Sequence, residues 1–258
     1  MQLAAITSEN PNKFVDINSI PNPSVEDDQI LIKVNNCSGT VVAIGKHVEN
    51  FEIGNYVSAF THGGYKNNPF GGSFQEYVAV DQFSCIKYQN LNNLKDEKST
   101  IPAGKITTFE AAAAINLSLA TVGMSFYHGF ELDIKQKTSD KNKNWVLIWG
   151  GATSTGMLAI QIAKQLYGLN VITTASEKHF KLLKDLGADF IFNYNDGDVI
   201  LKIKNATGNN IKYALDTVSD VKTFNGCNEC LRTTENAFLV NLLALEPDVI
   251  ENIKPNVT

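Results

Sequence analysis

The chain has 258 residues, 43% of them hydrophobic and 19% charged, enough for one large or two modest globular domains with a real core. A formal net charge of -5, a sequence pI near 5.4 and the lack of any lysine or arginine stripe exclude nucleic acid as a main partner and disfavour an anionic membrane. The opening MQLAAITSENPNKF has no basic segment followed by an apolar run and cleavage site, so no secretory signal is read and the expected location is cytoplasmic.

To about Ile106 the sequence is strand-like. QILIKV, GTVVAIG, NYVSAF and SFQEYVAV are short apolar or alternating runs separated by Gly, Asn and Pro turns, which predicts a small, mainly antiparallel barrel. From Thr107 the period becomes helical, with Thr107 or Thr108 placed to cap FEAAAAINL. The most apolar stretch, AAAAINLSLATVGMSF, is short for a bilayer span and dominated by alanine, so it reads as a buried helix. The polar DIKQKTSDKNKN that follows reads as an exposed loop.

The second half alternates between strand and helix, with strands read at 145–149, 171–174, 190–192, 213–216 and 238–242. Strands alternating with helices of this length imply right-handed βαβ units and a doubly wound parallel sheet. The fold class is α/β: a mainly-β domain over residues 1–117 and a doubly wound domain over 118–258.

Cys37, Cys85, Cys227 and Cys230 are too few for a disulfide scaffold. Cys227 and Cys230 form a lone CxxC in a helical pattern, with neither the second pair nor the strand-turn-helix setting that metal and redox sites need, and read as buried structural thiols. His47, His62, His128 and His179 show no HxxH or HExxH spacing, so no metal site is expected.

Ligands of doubly wound sheets sit at the carboxyl ends of the strands, near the first crossover. Here that place is GGATSTG, Gly150 to Gly156, inside VLIWGGATSTGMLAIQIAK. Gly150, followed by Gly151, allows the tight turn, and Gly156 lets the helix pack close to the sheet. The N–H groups from Ala152 to Thr155 would face a pyrophosphate at a helix N-terminus. Thr153 stands where the usual fingerprint has glycine, and the hydroxyls of Thr153, Ser154 and Thr155 are able to donate to phosphate oxygens. At the next strand end Ser176 and Lys178 suit a ribose 2′-phosphate, with Glu177 the awkward neighbour. The alternative makes Ser176 an ordinary N-cap and Lys178 a solvated surface residue. NADP is favoured over NAD.

These segments, with IPAGKITTFEAAAAINLSLATVGMSFY, ITTASEKHFKLLKDLGADFIFNYND and YALDTVS, resemble the zinc-independent medium-chain dehydrogenase/reductases. The chain is most similar to their fungal quinone-oxidoreductase-like and trans-acting enoyl-reductase-like branch. The resemblance implies a GroES-like substrate domain, then a Rossmann NADP-binding domain, with NADPH delivering hydride to an activated double bond or quinone. It implies pyrophosphate contacts at Ala152, Thr153, Ser154 and Thr155, and 2′-phosphate contacts at Ser176 and Lys178. Tyr194 matches the family tyrosine near the adenosine phosphate, its alternative being a packing residue. NLSLATVG, Asn116 to Gly123, matches the stretch lining the nicotinamide and substrate cleft, with Asn116, Ser118 and above all Thr121 as polar contacts. Without the zinc ligand set of the metal-dependent relatives, the substrate oxygen would be polarised by hydrogen bonds. No catalytic residue is assigned; Tyr77 and Thr121 are the candidate proton donors. Homodimerisation is a family expectation.

Two departures from the family pattern stand out. After QILIKVNN the family continues with an Asn-Pro-x-Asp-type segment, a helix and a Gly-Cys-Asp turn, whereas here only Cys37 and Ser38 precede GTVVAIG. The chain also stops soon after its fifth Rossmann strand, which predicts an incomplete domain with an unpaired, aggregation-prone sheet edge. Three functional readings follow: an active NADPH-dependent reductase, a catalytically inactive NADPH-binding module, or a non-functional truncated paralogue.

Overall fold

The structure, a computed structural model, describes residues 1–7, 15–35, 38–62, 71–91, 106–134, 144–246 and 253–258. Cys37 and most of the polar stretch read as a loop after residue 133 lie outside the described residues. The chain forms two compact units, Met1–Leu117 and Ser118–Thr258.

The first unit contains β1 (Gln2–Thr7), β2 (Val15–Ile20), β3 (Gln29–Asn35), β4 (Ser38–Ile44), β5 (Tyr56–Ala59), β6 (Tyr77–Asp81) and β7 (Cys85–Tyr88). β1 and β2 make an antiparallel ribbon, and the rest an antiparallel sheet in the order β6-β3-β4-β5-β7. The period of two in QILIKV turns Ile30 and Ile32 inward, where they meet Val41, Phe51, Val57, Val78 and Val80. SFQEYVAV serves both sheets: the Ala5 N–H donates to Phe74 O at 2.8 Å, while Tyr77–Asp81 pairs with β3. β3 and β4 pair directly, Asn35 opposite Ser38.

α1 (Phe109–Met124) begins where the Thr108 hydroxyl accepts the Ala111 N–H at 3.2 Å, which decides between the two threonines offered as caps. It ends in a π-helical turn, Ser125–Gly129. By length and composition Phe109–Gly129 could cross a membrane; its Val122, Phe126 and the following Phe130 are buried in the protein core.

The second unit runs β8 (Trp145–Trp149), α2 (Ser154–Gln165), β9 (Asn170–Ala175), α3 (Phe180–Asp185), β10 (Phe190–Asn193), α4 (Val199–Thr207), β11 (Ile211–Asp216), α5 (Val221–Cys230) and β12 (Phe238–Asn241). The strands are parallel, in the order β10-β9-β8-β11-β12. Both faces are covered: Val146 and Ile148 pack with the α2 side, Leu147 and Trp149 with Ile203, Cys227 and Cys230. That two-sided burial is why β8 reads as a continuous apolar run. Burial pushes the Cys230 thiol up to about 12 and Cys227 well above its usual value, so both stay protonated packing groups.

The expected bare edge at β12 is corrected. The last residues of the chain run parallel to it: Ala237 N–H donates to Asn256 O, Thr258 N–H to Ala237 O and Leu239 N–H to Thr258 O, at 2.9, 3.0 and 2.9 Å. Lys254 Nζ fixes this segment by donating to the Glu229 and Leu231 carbonyls at the end of α5.

Candidate functional site

At the carboxyl end of β8 the chain turns at Gly150, whose φ of 85° belongs to the left-handed region. A Cβ there would also lie 2.7 Å from Thr217 Oγ1. Gly156, in the first turn of α2, faces the turn so closely that a Cβ would run into the Gly150 carbonyl oxygen. Gly151 is walled in by Thr173, and its N–H donates to Thr174 O at 2.9 Å. The glycines thus bring the helix N-terminus against the strand end.

Thr153 caps α2, its Oγ1 accepting the Gly156 N–H at 2.9 Å. The same oxygen lies 3.0 Å from Thr217 Oγ1, which in turn reaches Trp149 O at 2.7 Å and Gly150 O at 3.0 Å. Thr217 has one proton and gives it to a carbonyl, so the Thr153 hydroxyl donates to Thr217. The Thr153 N–H is also engaged, by Gly150 O at 3.0 Å. In this structure Thr153 latches the turn, its hydroxyl and N–H both engaged within the protein. The N–H groups of Ala152, Ser154 and Thr155 make no hydrogen bond among the described residues.

A cleft of about 520 Å³ opens over this turn. Gly150, Ala152, Thr153, Ser176, Lys178 and Tyr194 line it, so the structure gathers six of the residues named from sequence; Gly151, Ser154, Thr155 and Gly156 lie outside the lining. Ser176 precedes the short turn Glu177–His179, yet its side chain makes no capping bond. Lys178 is exposed and makes no ion pair among the described residues. Glu177, the awkward neighbour, is held by the Asn193 amide at 3.3 Å and does not line the cleft.

The opposite wall was not foreseen. Val218, Asp220, Lys222 and Thr223, between β11 and α5, also line the cleft. The signal was available, since β8 lies between β9 and β11 and ligands of such sheets sit where the strand order reverses. Asp216, buried at the end of β11, holds this wall by accepting the N–H groups of Val218 and Ser219 at 3.0 and 2.9 Å and the Thr223 hydroxyl at 2.7 Å. Burial raises its carboxyl above the ordinary value; the Ser219, Thr223 and Val218 donors pull it down, and Asp220 adds a push upward. The Ser219 hydroxyl accepts the Leu242 N–H at 2.7 Å, tying the wall to the end of β12.

The second group of sequence candidates is dispersed along α1. Asn116 is buried and its Oδ1 accepts the Ser58 hydroxyl at 2.9 Å, in the first unit. Ser118 and Thr121, three residues apart, share a different face. Tyr77 lies on β6, and its N–H donates to Gln2 Oε1 at 2.6 Å. Among the described residues no group of three or more His, Cys, Asp or Glu side chains could hold a metal ion.

Comparison with known proteins agrees with this geometry. The zinc-binding dehydrogenase family matches residues 154–255. An uncharacterised Saccharomyces cerevisiae protein is 37% identical over 228 residues, 86% of this chain and 61% of that one. A trans-enoyl reductase of Cochliobolus carbonum is 34% identical over 197 residues, 76% of this chain and 61% of the relative. The chain thus spans about 61% of the length of these curated relatives. Among solved structures, a Pseudomonas syringae quinone oxidoreductase superimposes with a TM-score of 0.68 at 18% identity, covering 100% of this chain and 80% of the other. A mycobacterial protein solved with NADPH gives 0.64 at 19% identity, covering 100% and 81%. The antiparallel unit, the parallel five-stranded sheet and the glycine turn are the fold these solved structures share, and over residues 154–255 the chain is similar to the zinc-binding dehydrogenases.

Proposed function

We propose that this chain binds a nicotinamide dinucleotide, NADPH in preference to NADH, and acts without zinc as an oxidoreductase reducing an activated double bond or quinone. The observation that carries the proposal is the cleft over Gly150, which is lined by Ala152 with its unused N–H and by the unpaired Lys178, where an NAD site usually sets an acid. Trans-enoyl reductases among the relatives, and a structural neighbour solved with NADPH, support it.

The residues present fit the group. The N–H groups of Ala152, Ser154 and Thr155 would hold the pyrophosphate at the start of α2, and Ser176 and Lys178 the 2′-phosphate, with Tyr194 beside the adenosine. Glycine at position 156 keeps those donors close to the strand end. When bound, the reduced nicotinamide supplies the hydride. The protein's own part is orientation, since Thr153 and Thr217 fix the turn and Asp216 fixes the facing loop.

The test is calorimetric titration with NADPH and NADH, then an acceptor screen following NADPH oxidation with 2-enoyl thioesters and quinones. NADPH is expected to bind about tenfold tighter, the worth of one charge-assisted contact. No binding of either nucleotide overturns the proposal. The closed β3–β4 hairpin favours a second reading, a nucleotide-binding module without turnover, which NADPH binding with no acceptor reduced would support.

A further inference from the structure

Lys222 was not named from sequence, and it stands at the junction of two cavities. It lines the 520 Å³ cleft with Lys178 and Tyr194, and with Trp149, Tyr194 and Asn195 it also lines an adjoining groove of about 740 Å³ along α4 and α5. Lys178 follows β9 and Lys222 opens α5 after β11, the two strands that flank β8. β9 and β11 are therefore about 10 Å apart at the strand ends, and the two lysines, on the loops that follow, line the same cleft. Neither lysine makes an ion pair among the described residues.

The acids nearby are already occupied. Asp220, which also lines the cleft, accepts the Thr223 N–H at 2.8 Å as the cap of α5. Asp196 and Asp198, in the groove, are paired with Lys202 at 2.8 and 2.9 Å. Glu177 bonds Asn193. Glu229, at the far end of the groove, does not line the cleft. Two unpaired cations thus face one cleft in which the one acid among the described lining residues, Asp220, caps a helix.

We infer that Lys222 is a second cation for the anionic adenosine end of the dinucleotide, so that discrimination for NADPH rests on a lysine pair and not on Lys178 alone. This rests on the cofactor reading above. A single lysine at the end of β9 would leave the 2′-phosphate open on the α5 side, and Lys222 closes that side as an exposed point charge.

The experiment measures NADPH, NADH and 2′,5′-ADP binding by calorimetry to the whole chain as wild type, Lys178→Ala, Lys222→Ala, Lys222→Arg and the double alanine variant. Lys222→Ala is expected to weaken NADPH and 2′,5′-ADP about tenfold with NADH changed less than about threefold, as one charged contact removed predicts. Lys222→Arg should restore most of the loss, and the double variant should bring NADPH to the NADH level. Unchanged NADPH binding in Lys222→Ala overturns the inference while leaving the cofactor reading intact. Equal weakening of both dinucleotides also overturns it, by placing Lys222 at the shared pyrophosphate. Wild-type protein binding none of the three removes the cofactor reading and the lysine pair together.

Discussion

Thr153 shows how one side chain can replace a glycine without opening the turn. Its hydroxyl is engaged twice, accepting the Gly156 N–H and donating to Thr217, so it has no proton left for a phosphate. Thr153→Val removes the cap and the latch together and should lower folding stability by about 1–2 kcal/mol, read from urea unfolding, whereas Thr153→Gly keeps an acceptable cap residue and should cost less. Gly150→Ala must both adopt φ near 85° and crowd Thr217, and should cost about 1–3 kcal/mol with loss of nucleotide binding. Asp216 carries a pH signature. Its folded carboxyl lies above the ordinary 3.8, so as pH rises from there the unfolded chain releases its proton first and this residue's contribution to stability falls until the folded value is passed. Asp216→Asn keeps an oxygen for the Val218 and Ser219 N–H groups and removes that slope. Unfolding curves from about pH 3 to about pH 7 should show the variant gaining on wild type, and a constant difference would refute it. From sequence, Gly150 and Gly156 were legible because their roles are steric. The Thr153–Thr217 bond was not, because it joins residues 64 apart in the chain.

Elements with a buried face on both sides, or a strict alternation, could be read directly. All five strands of the parallel sheet were, because β8 is VLIW and β11 is YAL flanked by helices. β2 was not: VDINSI is exposed along most of its length, so it carries no alternation to see, and β1 is defined by its pairing with it. β7 is four residues long and gives too short a signal. Asp189 shows what holds adjacent elements together. Its carboxylate accepts Lys164 Nζ at 2.7 and 2.8 Å and the Val171 N–H at 2.7 Å, joining α2 to the start of β9. Asp189→Ala should cost about 1–3 kcal/mol, since it leaves a strand N–H and a half-buried ammonium unmatched. A loss below about 0.5 kcal/mol would mean the ion pair is merely a surface one.

At the scale of the whole molecule, each unit has its own core: Ile30, Ile32 and Val41 in the first, Ile148, Ile160 and Leu215 in the second. Every described residue lining the cleft lies in Ser118–Thr258, so that segment expressed alone should fold and keep the affinity of the full chain for the nucleotide. Much weaker binding by the fragment would show that the first unit contributes to the cofactor site. The last residues belong to the fold as well. Removing 254–258 would strip the Lys254 bonds from the end of α5 and bare the β12 edge, and should lower the melting temperature and promote association, visible by light scattering.

Trp149 ends the central strand on the wall shared by both cavities, only 5% exposed, with Gly226 against its ring. The chain has two tryptophans, and the other, Trp145, starts the same strand. Reduced nicotinamide absorbs where indole emits, so a dinucleotide in this cleft would sit beside a built-in optical donor. Excitation of the tryptophans should transfer energy to bound NADPH and brighten the coenzyme's own emission, and Trp149→Phe should lower that signal. The protein thereby carries its own reporter of occupancy, reading the cleft without any label.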